Sequence, residues 1–171
     1  ASPHIAHKHS SYYYPVTGIL GELGYVSIGV GYTLPFQVVG APWINADSLT
    51  NALNSLHLPG IIFRPIHFKP FYSTYKDEHC HGVQIHIMNY NKACLSEIQF
   101  YIMQEINKLY PSKAVFANAN KERFSMFDKV SGSDQIRLKF SVNHSFADIQ
   151  EYWNKDVENY RKLSKKYWLY K

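Results

Sequence analysis

Between Lys92 and Tyr110 the apolar side chains of Leu95, Ile98, Ile102, Ile106 and Leu109 recur every three or four residues, and Pro111 follows at once. That period makes one continuous stripe on a helix and nothing coherent on a strand. A helix of this length must bury such a stripe against another element, so the chain is committed to a layered fold with a shared core. Two further segments repeat the pattern. Leu49, Leu53 and Leu56 share a face over 47–57, where Pro59-Gly60 supplies the stop, and Phe146, Ile149, Trp153, Val157 and Tyr160 do so over 146–163. Ser145 and Asp148 are spaced as a capping box at the start of that last helix.

The other layer is a small sheet. In 82-GVQIHIM-88, Val83, Ile85 and Ile87 alternate with Gln84 and His86, so one face is apolar and the other polar. The run 61-IIFRPIHFK-69 reads as extended, with Pro65 pushing it toward an edge or an interruption, and 36-FQVVG-40 is a third candidate. Segment 136-IRLKFSV-142 alternates like a strand, yet Ser133-Asp134 before it equally suits a helix cap. Before residue 34 turn residues dominate, with one helix over 11–20. The expectation is an α/β (α+β) fold: a small mixed sheet covered by amphipathic helices, with a loop-rich N-terminal flank.

With 171 residues, 46% of them hydrophobic, one domain with a substantial core is expected over 1–171. No apolar run reaches membrane-spanning length, and no secretory pattern opens the chain. The first residue is alanine rather than methionine, which leads us to expect polypeptide upstream. The net charge of +5 invites a nucleic-acid reading, but Arg161, Lys162, Lys165, Lys166 and Lys171 crowd the end of the chain, where a basic helix terminus complements the helix dipole. Cys80 and Cys94 are too few for a disulfide scaffold and either pair or stay reduced. The fourteen tyrosines suit wet binding surfaces such as sugar sites as well as cores.

Most catalytic signatures are missing. His4, His7 and His9, and the triplet His79-Cys80-His81, lack a second half at zinc spacing, and three adjacent residues on an extended strand do not converge on one ion. No G-x-S-x-G elbow is present. The stretch 27-SIGVGYTLPFQVVGAPWI-44 is glycine-rich and uncharged, but it carries no P-loop lysine, and Pro35 bars a helix after Gly31. Glu22, in 21-GELG-24, is the only acid among the first 46 residues, where a loop can carry it into a cleft. Glycoside hydrolysis needs two carboxylates across the sugar, so one glutamate is half a site. Gln84 and His86, roughly 7 Å apart on the polar strand face, are either a solvated face or a pocket floor.

Several motifs together carry a resemblance: 15-PVTGILGELGYVSIGVGYTLPFQVVGAPWI-44, 59-PGIIFRPIHFKPFYSTY-75, 80-CHGVQIHIMN-89, 127-FDKVSGSD-134 and 167-YWLY-170, in that order after Ser2-Pro3. The chain resembles the C-terminal part of the NamZ-type exo-β-N-acetylmuramidases over nearly its whole length. The resemblance implies enzymes that remove single N-acetylmuramic acid residues from peptidoglycan fragments, without metal or organic cofactor. It implies a Rossmann-like N-terminal domain carrying the main catalytic carboxylate, in cis or in trans, with the cleft between it and this smaller domain. Ser2-Pro3 then corresponds to the end of that first domain. It further implies a helix after Gly132, an assisting or positioning role for Glu22, and substrate contacts from Ser27, Gly29, Gly31, Tyr32, Thr33, Arg64, Gln84 and His86.

Gly40, Pro42, Trp43, Phe63, Pro65, Cys80 and Gly82 also match the family pattern. Tyr25 departs from it, and Val30 stands where many relatives carry an arginine suited to the lactyl carboxylate. The expected partners are a peptidoglycan-derived sugar or muropeptide and the N-terminal domain, with no nucleic acid and no membrane span. The expected location is periplasmic or secreted. The chain alone is expected to be inactive. The alternatives are a stand-alone binding module holding muropeptides on tyrosines and Trp43, or a subunit without catalysis. Because residues 10–46 hold one charged side chain, an exposed apolar patch is expected near 12–43.

Overall fold

The computed structural model describes residues 4, 5 and 8–169; Ser2-Pro3, His7, Tyr170 and Lys171 lie outside the described residues. Helix α1 spans Ser10–Gly21, in line with the helix expected over 11–20. Strand β1 is Val38–Ala41, β2 is Ile61–Phe68 and β3 is Cys80–Ile87, ordered β1-β3-β2. Both pairings are antiparallel, so the sheet is not mixed. The reason is the hairpin joining β2 to β3 and the short edge strand β1, which needs no parallel crossover. Pro65 sits in edge strand β2, where no neighbour on its outer side misses an N–H. β1 starts two residues after the expected strand because Phe36 adopts φ 66° and turns the chain into it.

Helix α2, Ala46–Asn54, is capped by the Asn45 side chain, which accepts from the Ser48 N–H. It ends before Leu56 and well before Pro59-Gly60, because Asn54 turns to the sheet. Its amide accepts from the Phe63 N–H at 3.0 Å and donates to the Phe63 carbonyl at 2.9 Å. A 3₁₀ turn over Leu95–Glu97 leads into α3, Ile98–Leu109. The rest is helical: α4 Val115–Asn118, α5 Phe124–Ser131, α6 Asp134–Asn143, α7 Ala147–Asn154 and α8 Val157–Ser164.

Segment 136–142 is thus helix. Ser133 caps α6 by accepting from Gln135 N–H, and only Ile136 and Phe140 are buried. The single helix expected over 146–163 is instead two, broken at Lys155-Asp156. Ser145 and Asp148 do cap its start: the Asp148 carboxylate accepts from the Ser145 N–H, and Ser145 Oγ from the Ala147 N–H.

One core cluster joins the Val39, Val83 and Ile85 face of the sheet to Leu49 and Leu53 of α2, to Ile102 and Ile106 of α3, and to Val16 and Leu20 of α1. It continues into Phe127, Phe140, Phe146 and Ile149. The opposite sheet face has a smaller cluster, Val38, Phe68 and Cys80. Loop side chains cover it: Tyr32, Leu34 and Tyr75, with Ile66 of β2. Helices therefore cover one face, and loops part of the other. Those loops build the site.

Candidate functional site

Helix α1 presents Tyr14, Gly18 and Gly21 to a cavity of about 240 Å³, closed by Val26, Ser27, Val30 and Phe36 from the following loop, Ser73 and Thr74 from the β2–β3 loop, and Arg123. The helical spacing of 14, 18 and 21 puts them on one side; the Tyr14 ring lies over Gly18, and a Cβ on Gly21 would lie 2.3 Å from Ile28 Cδ1, so the glycine there lets the Ile28 side chain pack against the helix. Tyr14 meets the Phe36 ring edge-on at 5.1 Å. Glu22, the residue that ends α1, lines the same cavity. Arg123 Nε donates to the Glu22 carbonyl at 2.6 Å, so the guanidinium is held at the mouth by backbone. One acid and one base are the charged residues in the lining.

The expected contact residues divide into two groups. Ser27 is buried, exchanges both backbone hydrogen bonds with Gly40 and accepts from the Gly29 N–H at 3.4 Å, so it ties the loop to β1. Gly29 and Gly31 have φ of 81° and 87°; a Cβ on Gly31 would lie 2.2 Å from the Tyr72 carbonyl oxygen. The Gly31 carbonyl accepts from the Phe71 N–H at 2.8 Å. The close approach Gly31 permits is therefore to the chain's own β2–β3 loop, while Gly29 admits the Leu34 carbonyl of its own loop, 2.4 Å from where a Cβ would sit. Tyr32 packs on Phe68 at 5.3 Å, and Thr33 is exposed at the tip.

Arg64, Gln84 and His86 lie away from this cavity, on the loop-covered side of the sheet. Arg64 is opposite Gln84 in register, and Ile62 opposite His86. Burial, with the Arg64 charge adding to it, pushes the His86 imidazole below its usual range, and His86 Nε2 is buried without a hydrogen-bond partner among the described residues. The neutral ring carries one donor and one acceptor.

Two residues that line the cavity, Phe36 and Ser73, take left-handed backbone conformations, as do Tyr75 and Asp77 further along the β2–β3 loop. Such residues persist only where their surroundings hold them, and they cluster at functional loops. The holding is visible: Tyr75 Oη accepts from Trp43 Nε1 at 3.1 Å and donates to the Tyr25 carbonyl at 3.0 Å. Burial, and then Tyr75, lifts the Tyr25 phenol to about 12, so it remains a donor, to the Lys113 carbonyl. Trp43 packs between Tyr25 and Tyr110, which makes it a brace rather than an open sugar platform.

Sequence reasoning missed Tyr14, Phe36, Ser73, Thr74 and Arg123. The 14-18-21 spacing is a readable signal; Arg123 arrives from 101 residues beyond Glu22 and has none. The exposed patch expected near 12–43 reduces to Tyr12 and Tyr14, because Val16, Leu20, Leu23, Val26, Ile28 and Phe36 are interior. The stretch is uncharged because it is core. Both cysteines are free, Cys80 buried on its strand and Cys94 exposed. Among the described residues no group of three or more His, Cys, Asp or Glu is placed to hold a metal.

The family model for the C-terminal region of exo-β-N-acetylmuramidase NamZ matches residues 12–170. Peptidoglycan β-N-acetylmuramidase NamZ of Bacillus subtilis (strain 168) is 34% identical over 169 residues, which is 99% of this chain and 39% of that protein. A crystal structure of a DUF1343 family protein from Bacteroides fragilis NCTC 9343 matches with a TM-score of 0.97 at 62% identity, over 99% of this chain and 44% of that one. A second DUF1343 protein from that organism, at 22% identity, shares the fold with a TM-score of 0.67. The chain thus spans less than half the length of the relatives it matches. A match running from within α1 almost to the last residue places this chain in the family of NamZ C-terminal domains.

Proposed function

We propose that this chain is the cleft-forming C-terminal part of a peptidoglycan-processing exo-β-N-acetylmuramidase and that it does not hydrolyse glycosides by itself. The observation that carries the reading is the charge content of the cavity. It holds one carboxylate, Glu22, while acid/base glycoside hydrolysis needs a second across the sugar. The relatives are more than twice as long, and the second carboxylate belongs to the Rossmann-like N-terminal part that this chain would face.

In this reading Glu22 positions the sugar or assists proton transfer. The loop from Ser27 through Gly29, Gly31, Tyr32 and Thr33 forms one wall, held in shape by the strained β2–β3 loop. Val30 lines the cavity and cannot pair with the lactyl carboxylate of muramic acid, but Arg123 lines it too and supplies the guanidinium. Arg64, Gln84 and His86 offer hydrogen bonds to a more distant part of the glycan. Such acid/base chemistry needs no metal or organic cofactor. Peptidoglycan as substrate implies a periplasmic or secreted site of action.

The test is hydrolysis of a chromogenic β-N-acetylmuramic acid glycoside by this chain, with Glu22→Gln beside it. The expected result is no turnover by either. In the Bacteroides fragilis relative of 62% identity, replacing the residue that superposes on Glu22 should lower kcat/KM by roughly 10²-fold. Turnover by this chain that Glu22→Gln abolishes would place catalysis here and overturn the half-site reading. Tight muropeptide binding by the chain alone, lost on changing Trp43, would favour a stand-alone module instead.

A further inference from the structure

Helix α8 buries none of its eight residues. Its substantial contacts are confined to the short turn that follows it, over Lys165–Tyr167. An isolated helix below about 12–15 residues is marginal in water, so α8 has no internal reason to persist. It is nonetheless patterned. Val157, Tyr160, Leu163, Tyr167, Trp168 and Leu169 are all exposed, Leu169 to 90% and Tyr160 to 69%. Glu158, Arg161, Lys162 and Lys165 fall on the other side at spacings of three and four. The arm stands off the body over a cleft of about 700 Å³, floored by Tyr152 and Trp153 and reached by Ser131, whose buried Oγ has no hydrogen-bond partner among the described residues. The six apolar side chains of the arm outnumber the exposed apolar side chains of the stretch near 12–43, Tyr12 and Tyr14.

We infer that the arm Val157–Leu169, with the cleft beneath it, is the docking surface for the N-terminal part of the longer polypeptide. This rests on the reading that such a part faces this chain. Two observations choose this occupant. The matched region is less than half of the relatives' length, and the matched family model names it the C-terminal one. The arm also carries Arg161, Lys162, Lys165 and Lys166 against Glu158 alone, so the surface it meets is apolar at its centre and acidic at its rim. Contact there would bury the six apolar side chains and fill the cleft, which converts a marginal helix into a fixed one.

Hydrogen exchange followed peptide by peptide tests this, on this chain alone and on the full-length Bacteroides fragilis relative. In this chain residues 157–169 should exchange within a few-fold of unfolded rates, and in the longer relative the aligned segment should be slowed roughly 100-fold or more. Tyr160→Asp with Leu163→Asp should leave the unfolding of this chain unchanged, and their equivalents should abolish the protection in the relative. Protection already present in this chain would overturn the inference, as would an unprotected arm in the relative. So would protection that rises with this chain's own concentration, which would assign the arm to a second copy. The hydrolysis assay reads the half-site proposal independently, since activity can survive with an unprotected arm.

Discussion

Gly31 and Gly132 have nearly the same backbone conformation, φ 87° and 82°, and very different surroundings. A Cβ on Gly31 would meet the Tyr72 carbonyl oxygen at 2.2 Å, while one on Gly132 would meet nothing within 4 Å. Gly132→Ala should therefore cost only the left-handed penalty, about 1 kcal/mol. Gly31→Ala adds the separation of two loops that share a backbone hydrogen bond, and its cost should be roughly 2–4 kcal/mol. Urea unfolding of the two variants checks this, and equal losses would mean that the loops do not hold each other. The sequence showed that 27–44 must turn, because its glycines and prolines say so. It did not show what the glycines make room for, because Tyr72 is forty-one positions on and no local pattern links them. The same holds for Arg123, whose place at Glu22 follows from tertiary packing alone.

At the scale of elements, the fate of α1 depends on one buried amide. Gln99 of α3 is fully buried; its Oε1 accepts from the Leu20 N–H at 3.1 Å, and its Nε2 donates to the Pro15 carbonyl at 3.1 Å and the Ser96 carbonyl at 2.9 Å. This clamp fixes the helix that carries Tyr14, Gly18 and Glu22 to the cavity. Gln99→Leu keeps the volume and strands the groups it served, so it should destabilise by about 3 kcal/mol and speed exchange at the C-terminal end of α1. Denaturant titration with exchange at residues 16–22 reads both effects, and an unchanged α1 would refute the clamp.

Helices with a sustained stripe and a strand with clean alternation were legible, because periodicity reports directly which residues share a face. Where each element stops was less so. Asn54, the last residue of α2, bonds the Phe63 backbone, and that partner is invisible to any local pattern. The stripe of Phe146, Ile149, Trp153, Val157 and Tyr160 shows the same limit. It keeps its period across the break at Lys155-Asp156, yet only Phe146 and Ile149 are buried. Period tells which side chains lie together, not whether anything covers them.

For the whole molecule, this divides the chain into a body that holds itself together and an arm that does not contribute to it. Phe146 packs against the rings of Phe100 at 5.9 Å and Tyr101 at 4.8 Å and is 1% exposed, so Phe146→Ala should cost about 3–5 kcal/mol. Ending the chain after Asn154 removes every side chain of α8 and the turn beyond it, yet takes almost nothing from the core. The expected change in thermal midpoint is within about 3 °C, the shift that roughly 1 kcal/mol produces in a domain of this size. Calorimetry of the two variants against the parent chain decides the matter. If the truncated chain melts as early as Phe146→Ala, the arm is part of the fold and its apolar side chains are spoken for. If it melts with the parent, those side chains are exposed in a molecule whose own stability never required them, and their pattern answers to a surface outside this chain.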